Sequence, residues 1–170
     1  MIAEEDSSDQ ERQGAIYSLS QLRYIAEDYK GSISYLLEWL DNEEEPSSDG
    51  YGLLAQAYYQ VENFQKSVEA IDTAIEIQES RDIPIKVAVL DDEGNETGEM
   101  IETGETRKGV AKENHYLLKM ALYSELKKDL EVLPIYEILV QYYPKKRYWT
   151  NLSGLYGQRD RQMDQMGALE

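Results

Sequence analysis

Hydrophobic and polar residues alternate with helical spacing over two adjacent stretches in the middle of the chain. In the first, large and small apolar residues recur three and four positions apart, at Tyr51, Leu54, Ala55 and Tyr58. The second repeats this spacing with Phe64, Ser67, Ile71 and Ala74. Residues three or four apart share one face of an α-helix, so each stretch predicts an amphipathic helix. Ala55 and Ala74 are small enough to let two helix backbones approach closely.

The same pattern returns between Asn114 and Pro144. Its matching positions hold Tyr116, Met120, Tyr123, Val132, Tyr136 and Leu139. Met120 and Leu139 stand where the first copy has small residues, so this helix pair is predicted to pack more loosely. Pro134 falls within the second helix, which we expect to begin near Asp129 so that the proline lies in or just after its first turn.

Two further copies flank these. An earlier one runs over Ala15–Leu40, where the turn and second helix match at Tyr29, Ser32, Leu36 and Trp39. A later one opens with Trp149, Leu152, Ser153 and Tyr156 at the spacing of a first helix. We expect this last copy to enter its second helix before residue 170.

These copies resemble the tetratricopeptide repeat, in which a large residue, a Leu, a small residue and a Tyr on one helix precede small and aromatic residues on the next. The resemblance implies an all-α solenoid of helical hairpins with about 3 to 3.5 repeats. We expect one domain over residues 1–170, with repeat 1 at about 13–45, repeat 2 at about 48–81, repeat 3 at about 113–146 and partial repeat 4 at about 148–170.

Residues 82–112 interrupt the helical pattern with strand periodicity. Ile83, Ile85, Val87 and Val89 alternate with other residues, a turn-rich segment follows at Asp91–Gly98, and Glu99–Thr106 can return as a second strand. We predict a β-hairpin inserted between repeats 2 and 3. Such a hairpin is marginally stable alone. It either packs on the flank of its own stack or joins a partner or second copy by strand addition, for which Ile85, Val87 and Val89 are oligomerisation candidates.

The C-terminal end leaves apolar side chains without a predicted cover. Met163, Met166 and Leu169 have no following helix to pack against. They fold back on the preceding pair, or another subunit or a further segment covers them. Met163 and Met166 are therefore a second set of oligomerisation candidates.

Composition excludes several classes of partner. The formal net charge of −17 disfavours nucleic acid and anionic lipid surfaces, and no apolar run is long enough for membrane insertion. The acidity serves solubility alone or complements a basic partner. The chain has no cysteine, so it forms no disulfide and carries no thiolate chemistry. Its polar, acidic start is not a signal peptide.

No catalytic or metal-binding constellation is evident, and we predict no enzyme activity, no cofactor and no metal site. His115 is the only histidine, and we expect it to be a partly exposed helix residue. The acidic loop after Val89 lacks calcium-loop spacing, because Gly94 comes two positions too early after Asp91. Gly-rich phosphate loops and nucleophile elbows are absent from the sequence.

The resemblance also implies a concave groove lined by the first helices. Its partner-binding positions would be Tyr17, Gln21, Tyr24, Gln56, Tyr59, Gln60, Asn114, Leu117 and Ser124. Tyr and Gln give flat contact area and adaptable hydrogen bonds, which suits a peptide or helix of another protein. Tyr17 and Tyr59 are alternatively packing spacers. Chaperone-binding members of the family hold a C-terminal carboxylate with Lys, Arg and Asn at groove positions. This chain has Tyr17, Gly52, Leu117 and Thr150 at one of those positions and Gln21, Gln56 and Ala121 at another, which disfavours a chaperone-tail adaptor.

The segment from Tyr143 to Glu170 is similar to the ending of exported bacterial repeat proteins that accompany TonB-type systems. This implies a scaffold or adaptor in a bacterial envelope transport or energy-transduction complex, located in the periplasm, with the cytoplasm as the alternative. The competing function is a structural module that self-associates through the β-hairpin arm and the uncapped C-terminal helix.

Overall fold

Paired antiparallel helices stack along the chain, with one β-hairpin between the second and third pairs. The computed structural model describes residues 2–91 and 93–167, and side chains for residues 10–91 and 93–160. The helices are α1 (Ile2–Ile25), α2 (Tyr29–Asn42), α3 (Ser48–Gln60), α4 (Phe64–Glu79), α5 (Glu113–Glu125), α6 (Leu133–Tyr142) and α7 (Lys146–Gly167). The strands are β1 (Asp82–Leu90) and β2 (Glu96–Lys108). The predicted helical-hairpin stack with an inserted hairpin is confirmed.

Three turns between paired helices share one backbone geometry, which is direct evidence of the repeat. Glu27, Glu62 and Lys127 have φ of 60°, 58° and 57°, so a residue with a side chain adopts the left-handed region in each turn. Asp28 and Asn63 follow the first two and accept hydrogen bonds from the N–H groups of Gly31 and Lys66. These caps satisfy N–H groups that the starts of α2 and α4 would otherwise leave unpaired.

Small residues bring the backbones of α3 and α4 together. Ala55 and Ala74 are fully buried, as predicted, and Tyr58 fills the space beside them. The Ser67 hydroxyl, also fully buried, donates a 2.6 Å hydrogen bond to the carbonyl oxygen of Ala55. A larger residue at position 55 or 67 would hold the two backbones apart, because the interior is close-packed.

The third pair departs from this geometry. Met120 and Val132 replace the small residues that face each other in the second pair, Ala55 and Ser67. Lys128 follows the left-handed residue but offers no acceptor, so no side chain caps the next helix. A 3-10 turn at Asp129–Val132 precedes α6 instead, with Pro134 in the first turn of α6. Helical backbone thus begins at the predicted position, Asp129, but as a 3-10 turn, and α6 itself begins four residues later, at Leu133.

The C-terminal segment corrects the expected fourth repeat. α7 runs without a turn from Lys146 to Gly167, so the described residues of this segment form one helix and not the helical hairpin expected. Tyr148 is 2% exposed and Trp149 is 56% exposed. The buried aromatic therefore lies one position earlier than predicted, because α7 packs on α6 through Tyr148 and Tyr136, whose ring centroids are 6.3 Å apart. The side chains of Met163 and Met166 lie outside the described residues, as does Leu169.

The hairpin forms an arm (β1, its turn and β2) that leaves the stack through a narrow neck. At the neck the Gly109 N–H donates a 2.8 Å hydrogen bond to the Arg81 carbonyl oxygen. The Lys112 N–H donates at 2.7 Å to the Gln78 side chain at the end of α4. The end of α4, where the chain leaves the stack, thus lies beside the start of α5, where it returns. α5 therefore packs on α4 despite the insertion.

Beyond the neck the arm does not pack on the flank of the stack, contrary to one of the two arrangements expected from the sequence. Every residue of β2 is exposed, and among the described residues no helix packs along either strand. β2 also begins at Glu96, earlier than predicted. Two Thr-Gly steps bulge it: Thr97 and Thr103 donate to the Val89 and Ile85 carbonyl oxygens, and Gly98 and Gly104 have positive φ.

Gly109→Ala should destabilise the protein by about 1–3 kcal/mol, because the new Cβ would lie 2.1 Å from the Gln78 carbonyl oxygen. Chemical denaturation monitored by circular dichroism measures this loss. Gly154→Ala is the matched control, since nothing lies within 4 Å of a Cβ there. The control should be neutral or more stable, and equal effects of the two substitutions would contradict the neck packing.

Candidate protein-binding groove

The first helix of each pair and α7 line one side of the stack, which we call the groove. α1 contacts α3, and α3 contacts α5. α7 faces α5 across a hollow. The predicted partner-binding residues on α1, α3 and α5 are half-buried or exposed, so each keeps surface available to a partner. Their role in binding stays a prediction.

At the N-terminal end, Tyr17 borders a hollow of about 820 Å³ between α1 and the end of α2. The Tyr17 ring packs on Trp39 with centroids 4.9 Å apart, so part of it serves as a spacer. Burial raises the pKa of Tyr17, and the charge of Asp49 adds to this while Gln21 opposes it. Tyr17 and Gln21 therefore share one polar region with Asp49, whose carboxylate accepts a 2.5 Å hydrogen bond from Lys112.

The middle of the stack contains a buried histidine where the sequence predicts a partly exposed one. His115 is 3% exposed, because Gly52 on α3 has no side chain and admits the imidazole. A Cβ on Gly52 would lie 2.7 Å from Nε2 of His115. Nδ1 has no hydrogen-bond partner among the described residues. Burial lowers the pKa of His115, with the charge of Asp49 opposing that shift.

The C-terminal half of the groove holds a hollow of about 700 Å³ between α5 and α7, here called the α5–α7 hollow. Two predicted residues, Leu117 and Ser124, line it. The hollow extends to the 3-10 turn at Asp129–Val132 and the start of α6. Its other lining residues are Met120, Ala121, Asp129, Val132, Tyr136, Thr150, Asn151, Gly154, Leu155 and Gln158.

The α5–α7 hollow follows from residue size on three elements. Met120 and Val132 do not permit the close approach seen between α3 and α4. Ala121 and Gly154 then leave open room between α5 and α7, and nothing lies within 4 Å of a Cβ on Gly154. Asp129 is the one charged residue in the lining, so the hollow offers mainly apolar and neutral polar contacts.

The other predicted binding residues lie outside both hollows. Tyr24 and Tyr59 occupy equivalent places at the ends of α1 and α3, where each packs on the first aromatic residue of the following helix. Tyr24 and Tyr29 are 5.3 Å apart between centroids, and Tyr59 and Phe64 are 5.7 Å apart. Gln56 is half-buried on α3, whereas Gln60 and Asn114 are exposed at helix ends.

Sequence reasoning missed most of the α5–α7 hollow, although one signal was available. Thr150, Gly154 and Gln158 recur every four residues and therefore form one stripe on α7. A glycine inside a helix costs about 1 kcal/mol relative to alanine, so Gly154 on such a stripe marks either a close approach or open space.

Metal-ligand clusters and bilayer-spanning helices are absent from the described part of the chain. No group of three or more His, Asp or Glu side chains there is placed to hold a metal ion. None of the described helices combines the length and apolar character that crossing a lipid bilayer demands. At the acidic turn, the carboxylate of Asp91 accepts from the N–H groups of Glu93 and Asn95 and so closes the loop on itself.

The free energy of unfolding should decrease as the pH is lowered, because His115 is buried in its neutral form. Since its folded pKa lies below the ordinary 6.5, the unfolded chain binds a proton first as the pH drops, and stability is lost from about pH 6.5 downward. Thermal unfolding should therefore show a smaller loss between about pH 7 and about pH 5 for His115→Gln than for the wild type. Parallel curves for the two proteins would contradict the buried, neutral imidazole.

Comparison with known proteins establishes the fold. No protein-family model matches this sequence, and no curated protein matches it. Among solved structures, MamA aligns with a TM-score of 0.61 and 12% identity, over 91% of this chain and 72% of that chain. The first TPR of Spaghetti (RPAP3), bound to the HSP90 peptide SRMEEVD, aligns with a TM-score of 0.56 and 11% identity, over 88% and 97%.

The TPR2B domain of yeast Sti1, in complex with an Hsp70 peptide, aligns with a TM-score of 0.52 and 13% identity, over 88% of this chain and 97% of that chain. At such identities the likeness concerns architecture alone. It agrees with the repeated left-handed turns and with the small residues buried between α3 and α4. The chain thus has the tetratricopeptide-repeat fold, a solenoid of helical hairpins, with a β-hairpin inserted between its second and third pairs.

Proposed function

We propose that this chain is a non-enzymatic scaffold or adaptor that holds a peptide or helix of another protein in its groove. The observation that carries the proposal is the α5–α7 hollow, an open volume of about 700 Å³ lined mainly by apolar and neutral side chains. Hollows of this size and lining suit a large apolar anchor residue, which supplies most of the affinity at many protein interfaces. The peptide complexes of the RPAP3 and Sti1 domains support the same use of the fold.

The chemistry of the groove favours a neutral or basic partner segment. The chain carries a formal net charge of −17, which repels acidic peptides and attracts basic ones. Lys112, the groove cation near Tyr17, is already paired with Asp49 at 2.5 Å. Acidic chaperone tails of the kind seen with the RPAP3 domain therefore fit this groove poorly, and we propose an amphipathic segment with a large apolar residue and basic flanks.

The setting we propose is a bacterial envelope complex for transport or energy transduction, in the periplasm. Its support is the resemblance of the segment from Tyr143 to Glu170, including Tyr148 and Trp149, to the ending of exported repeat proteins of TonB-type systems. Fractionation of the native organism tests this, with periplasmic and cytoplasmic marker enzymes as references. Recovery with the cytoplasmic marker would establish the alternative compartment.

Gly154→Leu should weaken partner binding without loss of fold, because the new side chain fills the α5–α7 hollow and replaces a helix-weakening glycine. Peptides selected on the wild type from a random library provide the probe, and fluorescence anisotropy measures their affinity. We expect enrichment of large apolar anchors and a loss of about tenfold or more in Gly154→Leu.

Gly157→Leu is the matched control for that experiment. Gly157 lies on the same helix with nothing within 4 Å of a Cβ, and it does not line the hollow. Its affinity should equal that of the wild type. Selected peptides that bind Gly154→Leu as tightly as the wild type would contradict the assignment of the hollow as the anchor site.

Tyr24→Ala combined with Tyr59→Ala tests the rest of the groove. We expect weaker peptide binding and an intact helical stack, with about 1–3 kcal/mol lost through the two aromatic pairs. Anisotropy gives the affinity and circular dichroism gives the helix content. Unchanged binding together with lost helicity would mean that these tyrosines serve the core and not the groove.

A further inference from the structure

One face of the arm is an uncovered strip of aliphatic side chains. Ile83, Ile85, Val87 and Val89 share that face by strand alternation, and Ile101 joins them because it lies opposite Val87. We call these five residues the aliphatic face. Val87 is 43% exposed and Ile101 is 56% exposed. A hairpin with one apolar face normally needs a packing surface to be stable, and the stack does not supply one beyond the neck.

The opposite face of the arm is of a different character. Lys86 pairs with Glu102 at 3.3 Å, and Lys108 pairs with Asp82 at 2.9 Å, each across the two strands. Toward the tip the same face carries Ala88, Leu90 and Met100, and Leu90 and Met100 are each 57% exposed. Both ion pairs lie on this opposite face, so the aliphatic face, with its five aliphatic side chains, is the side that gains more by being covered.

Charge along the arm is separated from one end to the other. The tip carries Asp91, Glu93, Glu96 and Glu99, while the base carries Arg81, Arg107 and Lys108 together with Asp82 and Glu105. By strand alternation three charges lie on the aliphatic face. Arg107 is opposite Ile83, Glu105 is two residues before Arg107, and Glu99 is two residues before Ile101. Arg107 takes no part in the two ion pairs of the other face.

The free edge of β1 is unsuited to strand addition. The Ile85 and Val89 carbonyl oxygens accept from Thr103 and Thr97 and so point toward β2. By alternation, the backbone groups of Pro84 and Lys86 point to the free edge. Pro84 has no N–H to donate to another strand, and Lys86 places a charge at the edge. Both features prevent edge-to-edge pairing in natural sheets, so association through this edge of β1 is disfavoured.

We propose that two copies of this chain associate through their arms, with the aliphatic faces in contact and the arms pointing in opposite directions. This orientation brings the acidic tip of each arm to the end of the other arm that carries Arg81, Arg107 and Lys108, so that Glu99 of one copy meets Arg107 of the second. A two-fold axis repeats each contact twice. If the two faces met with the arms pointing in the same direction, the two Arg107 side chains would lie at the same end and repel each other. The charge separation along the arm therefore selects a second copy, antiparallel, as the occupant of the face.

Sedimentation velocity over a range of protein concentrations tests the association. The wild type should pass from monomer to dimer as concentration rises. Val87→Ser with Ile101→Ser should weaken the dimer about tenfold or more, because this cross-strand pair lies at the centre of the aliphatic face. Ala88→Ser with Met100→Ser is the matched control, since that neighbouring pair lies on the opposite face. It should leave the dissociation constant unchanged.

Charge reversal tests the orientation. Glu99→Arg alone and Arg107→Glu alone should each weaken the dimer, because each places like charges together in an antiparallel pair. An equimolar mixture of the two single variants should recover association, since every contact between the two chains is then complementary. The double variant should dimerise like the wild type. Circular dichroism should show the same helix content in all of these proteins.

A wild type that stays monomeric at all concentrations would overturn the proposal. So would a dimer that the Val87/Ile101 and Ala88/Met100 variants weaken equally, or one that neither weakens, because the contact would then lie elsewhere, for example on α7. Failure of the mixed single variants to associate would overturn the antiparallel orientation. Since none of these substitutions touches the groove, peptide binding should be unchanged in every case.

Discussion

The close approach of helix backbones at small residues is the constraint on which the rest of the structure depends. Ala55, Ser67 and Ala74 are fully buried where α3 meets α4, and the Ser67 hydroxyl bonds to the Ala55 carbonyl at the contact. Because a packed interior tolerates little change in volume, these residues set the separation of the helices. Where Met120 and Val132 take such places, the third pair opens and the α5–α7 hollow appears. Small residues at the contact therefore hold the second helix pair together, and larger residues at the same positions leave room for the candidate binding site in the third pair.

Local sequence was sufficient for the helix pairs because their determinants lie within a few residues of one another. The apolar spacing from Tyr51 to Tyr58 predicted α3, and Pro134 placed the start of the helical segment that leads into α6. Alternating β-branched residues at Ile83 to Val89 were sufficient for β1. In each case the side chain acts on the backbone of its own turn or strand, so the pattern alone carries the information.

What the sequence did not predict depends on contacts between distant segments. The register of α7, which buries Tyr148 and exposes Trp149, is decided by packing on α6. Burial of His115 depends on the absence of a side chain at Gly52, on another helix. The candidate site was therefore predicted in part: Leu117 and Ser124 line the α5–α7 hollow, but its floor and far wall come from α6 and α7. Side-chain periodicity on one helix cannot specify the distance to the next.

Because the arm enters and leaves the stack at the neck near Gly109, the packing of α4 on α5 does not depend on an unbroken chain through the arm. The arm enters and leaves at one point, and α4 and α5 contact each other directly on the helical side of it. A peptide bond cut at the exposed turn near Gly94 would leave two pieces, one ending in β1 and one beginning near β2. Their association would rest on the buried contacts of α4 with α5, including the hydrogen bond from Tyr116 to Glu79. The fold thus consists of two complementary parts that the arm links covalently. The arm can unfold locally while α4 and α5 stay packed together.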